Sequence, residues 1–322
     1  MKKPLRYEEL AKFRATFPAR ENFGPDSNNP YIVIDLRKSD MALSVWLKDL
    51  PCPVIGIGDG NLSDACDVVL DDEKHLTVIA NNIIRAPLAA MVLVQHLRAS
   101  ETLTLEKALT AESFAYATVQ NGPEFQAWLK TYNGSPLAAS KEPPLIVDVS
   151  SHNVMDLTFN RPEARNEIGI EMRDALCSAL DLALTAAMSK VTITGRGTTF
   201  SIGGAIEEFG QASDPATAHW VRSLRLPAWR LARLRSKLEV HVNGAAIGAG
   251  VEMAAFGRYV TASPKAWFQL PELKYGLIPG AGGTASLPQR IGRQRTAYMA
   301  LSMEKIRAKT ALEWGLIDAI ID

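Results

Sequence analysis

Two glutamates of this 322-residue chain, Glu252 and Glu272, each stand beside residues with almost no side-chain bulk. Asn243-Gly244-Ala245-Ala246-Ile247-Gly248-Ala249-Gly250-Val251-Glu252 joins an apolar run to a helical pattern, and Leu270-Pro271-Glu272 sets a carboxylate just past another run. A third stretch, Phe200-Ser201-Ile202-Gly203-Gly204-Ala205, is a small-residue turn after a Gly-rich loop. Small residues let a ligand approach the backbone closely, and free N–H groups at a helix N-terminus favour developing negative charge. Glu252 lies three residues after Ala249, so a helix starting there holds both on one face. Carboxylates beside such donors can move a proton while an anion forms. Taken singly, a glutamate early in a helix is ordinarily a solvated residue favoured by the helix dipole, and Glu272 alone invites the same plain reading.

Periodicity and punctuation outline the elements that must position these groups. Leu145–Val149, Val154–Phe159, Val191–Thr194, Leu238–Val242 and Ala266–Leu270 read as strands. Glu171 to Met188 is an amphipathic helix, with Met172, Leu176, Ala179, Leu180 and Ala183 at helical spacing. Short strands alternating with helices place residues 145–322 in the α/β class. Upstream, Tyr31–Leu36, Pro53–Ile57 and Asp67–Leu70 are short apolar runs, and Leu76 to Tyr132 is helical with pauses at Pro87 and Gly122-Pro123. Asn133 to Pro144, with Gly, Ser and two adjacent prolines, marks the boundary between an N-terminal module (1–140) and a core (145–322).

The three small-residue segments resemble the two oxyanion-hole loops and the acid/base loop of the enoyl-CoA hydratase/isomerase (crotonase) superfamily. Further matches follow in order: Leu157-Thr158-Phe159-Asn160-Arg161-Pro162-Glu163-Ala164-Arg165-Asn166, Gly276-Leu277-Ile278-Pro279-Gly280-Ala281-Gly282-Gly283-Thr284, and Ala311-Leu312-Glu313-Trp314-Gly315-Leu316-Ile317-Asp318. The resemblance implies a crotonase-like spiral of ββα units acting on a coenzyme A thioester, with no metal or redox cofactor. It implies that the backbone N–H groups of Gly204 and Ala249 polarise the thioester carbonyl and stabilise the enolate. Glu252 and Glu272, twenty residues apart as in the hydratases, would add water across a 2-enoyl-CoA. Glu272 would exchange the Cα proton and Glu252 would help activate water. Ala164, Arg165, Ile202, Gly203, Gly248 and Gly280 fall at substrate-binding positions, with Arg165 near the coenzyme A phosphates. Isomerisation of a 3-enoyl-CoA through Glu272 is the alternative. A non-catalytic acyl-CoA-binding or scaffolding subunit is the alternative of another class. A homo-oligomer, trimer or hexamer, is also expected from the resemblance.

Two departures stand out. Ala205 occupies a position where the family commonly has Asp, and the sequence reaches Asp322 without the family's closing helices. Residues 76–132, including Leu105-Glu106-Lys107-Ala108-Leu109 and Glu112-Ser113-Phe114-Ala115-Tyr116, resemble those helices less specifically. Residues 31–132 are therefore expected to be a degenerate partial repeat, without a site of its own, whose helices cover the site of 145–322 within or between chains.

Composition excludes several other classes. Thirty-five basic and thirty-five acidic residues leave no global field for nucleic acid or a membrane surface. Arg222, Arg225, Arg230, Arg233 and Arg235 cluster locally and read as a solvated helix face that could also steer an anion. Three scattered cysteines and no apolar stretch behind Met1-Lys2-Lys3 lead us to expect a soluble protein of the reducing cytoplasm. The five histidines show no metal-ligand spacing. Gly56-Ile57-Gly58-Asp59-Gly60 reads as a tight turn rather than a dinucleotide loop, and Trp220, Trp229 and Trp267 as core residues before an acyl pocket.

Overall fold

The computed structural model describes residues 2–37, 39–134, 141–212 and 214–321; residues 135–140 of the boundary segment and the terminal Asp322 lie outside them. After α1 (Tyr7–Ala15), the strands β1 (Ile32–Asp35), β2 (Val54–Ile57) and β3 (Val68–Leu70) form a small parallel sheet in that order, with α2 (Ser44–Asp49) between the first two. Both faces of this sheet are covered, which is why its strands read as unbroken apolar runs. Ile32, Ile34 and Val54 pack with Leu10 and Leu47 on one side. Tyr31, Val33, Ile55 and Ile57 join the main core on the other. Four helices follow: α3 (Leu76–Arg85), α4 (Pro87–Ser100), α5 (Leu105–Gln120) and α6 (Pro123–Thr131). Pro87 and Pro123 each sit in a first helical turn, where the missing N–H costs nothing.

The second part winds as a spiral. β4 (Leu145–Val149) and β5 (Val154–Phe159) lead into α7 (Ile170–Thr185). Three strand–strand–helix turns come next: β6 (Lys190–Gly195) and β7 (Thr199–Ser201) with α8 (Pro215–Arg225) and α9 (Ala228–Leu234); β8 (Leu238–Val242) and β9 (Ala245–Ile247) with α10 (Ala249–Ala254); β10 (Tyr259–Ala262) and β11 (Trp267–Gln269) with α11 (Gly283–Ser302). Then β12 (Ile306–Arg307), α12 (Ala308–Trp314) and β13 (Ala319–Ile320) close it. Each turn adds one strand to a six-stranded sheet, ordered β13-β10-β8-β6-β5-β4, and one to a four-stranded sheet, ordered β12-β11-β9-β7. The corner between the sheets needs glycine: a Cβ on Gly244 would lie 2.0 Å from Thr198 O.

One apolar core runs through both parts. Ile79, Leu93, Leu109 and Phe125 of the N-terminal helices belong to the same cluster as Leu157, Val240, Phe268 and Leu287. No single helix among the described residues is long and apolar enough to cross a membrane. The bent pair α3–α4 meets at 109° and packs against α11.

Candidate active site

The two small-residue loops meet at the ends of β7 and β9. Ser201 is fully buried, and its Oγ accepts a hydrogen bond from Gly203 N at 3.1 Å. Ile168 N donates to Gly203 O at 2.7 Å, and Ala205 N donates to Ile168 O at 3.3 Å. The amides flanking Gly204 are thus engaged, while its own N–H has no protein acceptor among the described residues. Opposite it, Gly248 N donates to Gln269 O, and α10 begins at Ala249, whose first-turn N–H is also without an acceptor there. A Cβ on Gly203 would lie 3.3 Å from Ala249 N, so the loops are in contact. Gly203 has φ +95°, and Gly248 has φ +50° and ψ −124°, conformations that L side chains avoid.

Both glutamates arrive at this junction. Glu272 opens a short 3₁₀ turn (Glu272–Tyr275) behind β11, and its Oε1 would lie 2.7 Å from a Cβ on Gly248. Its Oε2 is buried and has no hydrogen-bond partner among the described residues. Burial pushes its carboxyl up to about 8, with the charge of Glu112 adding to the shift. Glu252 projects from α10 with 2% exposure, and its Oε2 accepts from Ala281 N at 2.6 Å and Gly283 N at 2.8 Å. Its Oε1 is unpaired among the described residues. Burial raises the Glu252 carboxyl well above the ordinary range, and the neighbouring Glu272 and Glu112 add to that, whereas the two amides oppose it. Two such carboxyls titrate as a unit, and the first proton they take up is shared between them. The amides favour charge on Glu252; the partnerless Oε2 favours the proton on Glu272.

The other residues expected at the site lie around it. Ala164 is buried. Arg165 is exposed in the left-handed region (φ +51°), and its carbonyl accepts from Ile202 N at 3.2 Å. Asn166 ties this opening motif to the β6–β7 corner, donating to Arg196 O and Thr199 O at 3.0 and 2.8 Å. Gly280 sits beneath an aromatic ring: a Cβ there would be 2.1 Å from Tyr116.

That ring belongs to α5, which the sequence reading treated only as cover. α5 also brings Glu112, with 0% exposure, whose Oε1 accepts from Gly282 N at 2.8 Å. Its Oε2 accepts from Thr284 N at 2.9 Å and from Thr284 Oγ1 at 2.7 Å. Arg222 lies 3.6 Å from this carboxylate, donates to Gly280 O and covers the Tyr116 ring at 4.2 Å. The solvated-face reading of the arginine cluster therefore needs correcting at Arg222, which turns inward because a buried carboxylate and a carbonyl compensate its charge. Trp220, taken as a core residue, is instead 62% exposed on the outer side of α8. The sequence did hold a signal for Glu112: it falls on the buried stripe of Leu105, Ala108, Leu109 and Tyr116, an acid where the helix is otherwise apolar.

A family model described as enoyl-CoA hydratase/isomerase matches residues 150–322. The chain is 36% identical over 169 residues to 2,3-dehydroadipyl-CoA hydratase of Escherichia coli (strain K12), covering 52% of this chain and 65% of that protein. It is 35% identical over 176 residues to 1,2-epoxyphenylacetyl-CoA isomerase of the same organism, covering 52% and 66%. The chain thus spans just under two thirds of the length of these two curated relatives. Among solved structures, enoyl-CoA hydratase from Thermoplasma volcanium GSS1 superposes with a TM-score of 0.50 at 30% identity, over 56% of this chain and 73% of that one.

Proposed function

The chain belongs to the enoyl-CoA hydratase/isomerase family, and on that premise we propose that it reversibly hydrates a 2-enoyl-CoA thioester. The observation that carries this reading is the convergence of Glu252 and Glu272, both raised by burial, on the loops that hold the free amides of Gly204 and Ala249. In the hydration direction the thioester oxygen accepts from those two N–H groups. Glu252 takes a proton from water, the hydroxyl adds to Cβ, and Glu272 delivers its proton to Cα. The amides hold the enolate charge between these events; losing one such donor costs on the order of 3 kcal/mol of barrier. Arg165, exposed beside Ile202, is suited to a coenzyme A phosphate.

A second reading, 3-enoyl to 2-enoyl isomerisation, draws on the unpaired Oε2 of Glu272, which could move a proton between Cα and Cγ unaided. The test follows loss of conjugated-thioester absorbance with crotonyl-CoA, a longer-chain enoyl-CoA and a dicarboxylic enoyl-CoA like the substrate named for the 36% identical relative. Turnover abolished by either Glu252→Gln or Glu272→Gln supports hydration. Turnover of a 3-enoyl-CoA that survives Glu252→Gln supports isomerisation. Binding of CoA esters with no turnover of either type would mean a silent acyl-CoA-binding subunit.

A further inference from the structure

We propose that Glu112, supplied by the N-terminal helices, is a positioning residue that acts on Glu252 through the backbone of residues 281–284. Four successive amides there alternate between two carboxylates. Ala281 N and Gly283 N donate to Glu252; Gly282 N and Thr284 N donate to Glu112. Two acids on opposite sides of one peptide run fix its orientation, because rotating any peptide plane would break a bond to one of them. The carbonyls of the run are held by other groups, Gly280 O by Arg222 and Gly282 O by Ala285 N and Ser286 N, but its four N–H groups have these two carboxylates as acceptors, and Gly282 sits at φ +104°. Without Glu112 the amides of Ala281 and Gly283 are free to turn, and Glu252 turns with them.

The elements packed around Glu112 hold it still; burial raises its carboxyl above the ordinary range, and Arg222, the Thr284 hydroxyl and the amides of Gly282 and Thr284 oppose that. From α8, Arg222 balances its charge and holds Gly280 O. Tyr116, one turn further along α5, presses on Gly280. From α4, the buried His96 places Nε2 2.8 Å from Thr284 Oγ1. Because that hydroxyl donates to Glu112, His96 must donate to the hydroxyl, which assigns the neutral Nε2–H tautomer. Burial, lowering His96 to about 4, agrees. Glu252 and Glu272 are the remaining charges in reach, and the charge of Glu112 raises both. Glu112 is hydrogen-bonded to backbone and Thr284 and paired with Arg222, so its positioning influence passes through the 281–284 backbone to Glu252, while its charge also bears on Glu272.

The inference rests on the role given to Glu252 above, and its test separates the two. In steady-state assays, Glu112→Gln should lower kcat about 10- to 100-fold, the scale of an ångström-sized misplacement. KM should change less than about threefold. In this variant the lost negative charge moves the pH midpoint down while the loosened amides move it up, so the charge-keeping variant carries the test. Glu112→Asp keeps the charge but shortens the reach, so kcat should fall and the midpoint should move up as the two amides loosen from Glu252. Infrared titration of the substrate-free carboxyls, with Glu252→Gln as the subtraction reference, reads Glu252 without turnover. An upward shift there in Glu112→Asp, which keeps the charge while the Ala281 and Gly283 amides turn away from Glu252, sustains the proposal even if the wild type hydrates nothing, in which case only the hydratase reading is lost. An unshifted Glu252 band in Glu112→Asp, or loss of kcat in both variants that merely tracks a fall in melting temperature and CoA-ester binding, overturns it.

Discussion

At the scale of single residues, the site is built by placing carboxyls where water cannot fully serve them. Glu272 shows the consequence. Its carboxyl sits at about 8 in the folded chain against about 4.5 when free, so between those values the unfolded state has released a proton the folded state keeps. Stability from this group is present below about 4.5 and is lost as pH rises through about 8. Glu272→Gln should therefore abolish turnover yet melt higher than the wild type at alkaline pH, with the difference vanishing in acid; parallel melting curves across pH would check it. Gly248 is the complementary case. Its φ of +50° with ψ −124° and the Glu272 oxygen 2.7 Å from any added Cβ leave no room for a side chain. Gly248→Ala should cost about 1–3 kcal/mol in backbone strain alone and displace Glu272, which urea unfolding and a kcat measurement would show.

At the scale of elements, α11 serves two ends of the molecule with one helix. Its first turn carries the amides of Gly283 and Thr284 to the two buried glutamates. At Gly292 the path breaks, with φ +80° and ψ 162°, and the second half redirects Arg293 towards Asp67 behind β3. A Cβ at 292 would meet nothing within 4 Å, so the requirement for glycine is conformational rather than steric. We expect Gly292→Ala to destabilise the chain by about 1–3 kcal/mol and to lower kcat through the tilt of the first half. A variant that melts like the wild type would show that the break tolerates an alanine. The sequence offered Gly292 no special reading, since an isolated glycine in a helical pattern is compatible with an uninterrupted helix.

For the whole molecule, the join between the two parts is partly ionic. Asp67, 1% exposed, lies between Arg98 of α4 and Arg293 of α11, and also accepts from Val54 N. Asn82 of α3 donates to Leu301 O and Ser302 O at the end of α11, and the N-terminal helices share one apolar core with the spiral. Removing one member of a buried ion cluster strands the others. Asp67→Ala should thus cost about 3–5 kcal/mol, measured by urea unfolding. Because the core is continuous, the loss should appear in a single transition rather than as separate melting of residues before 134.

Much of this was legible in the order of residues. Alternation of apolar and polar positions marked the spiral's strands, and the small-residue runs at 200–205 and 243–252 marked the loops, because a backbone that must approach a ligand or another backbone excludes side chains whatever surrounds it. Glu252 and Glu272 were visible for the same local reason, each set beside such a run. Glu112 and Arg222 were not. Each lies on an amphipathic helix, where sequence shows spacing but not which neighbour will face it. Their partners, Gly282, Thr284 and Gly280, are 170, 172 and 58 residues away. Burial and charge pairing over such separations are decided only when the helices pack, because desolvation and Coulomb attraction depend on distance through space and not along the chain.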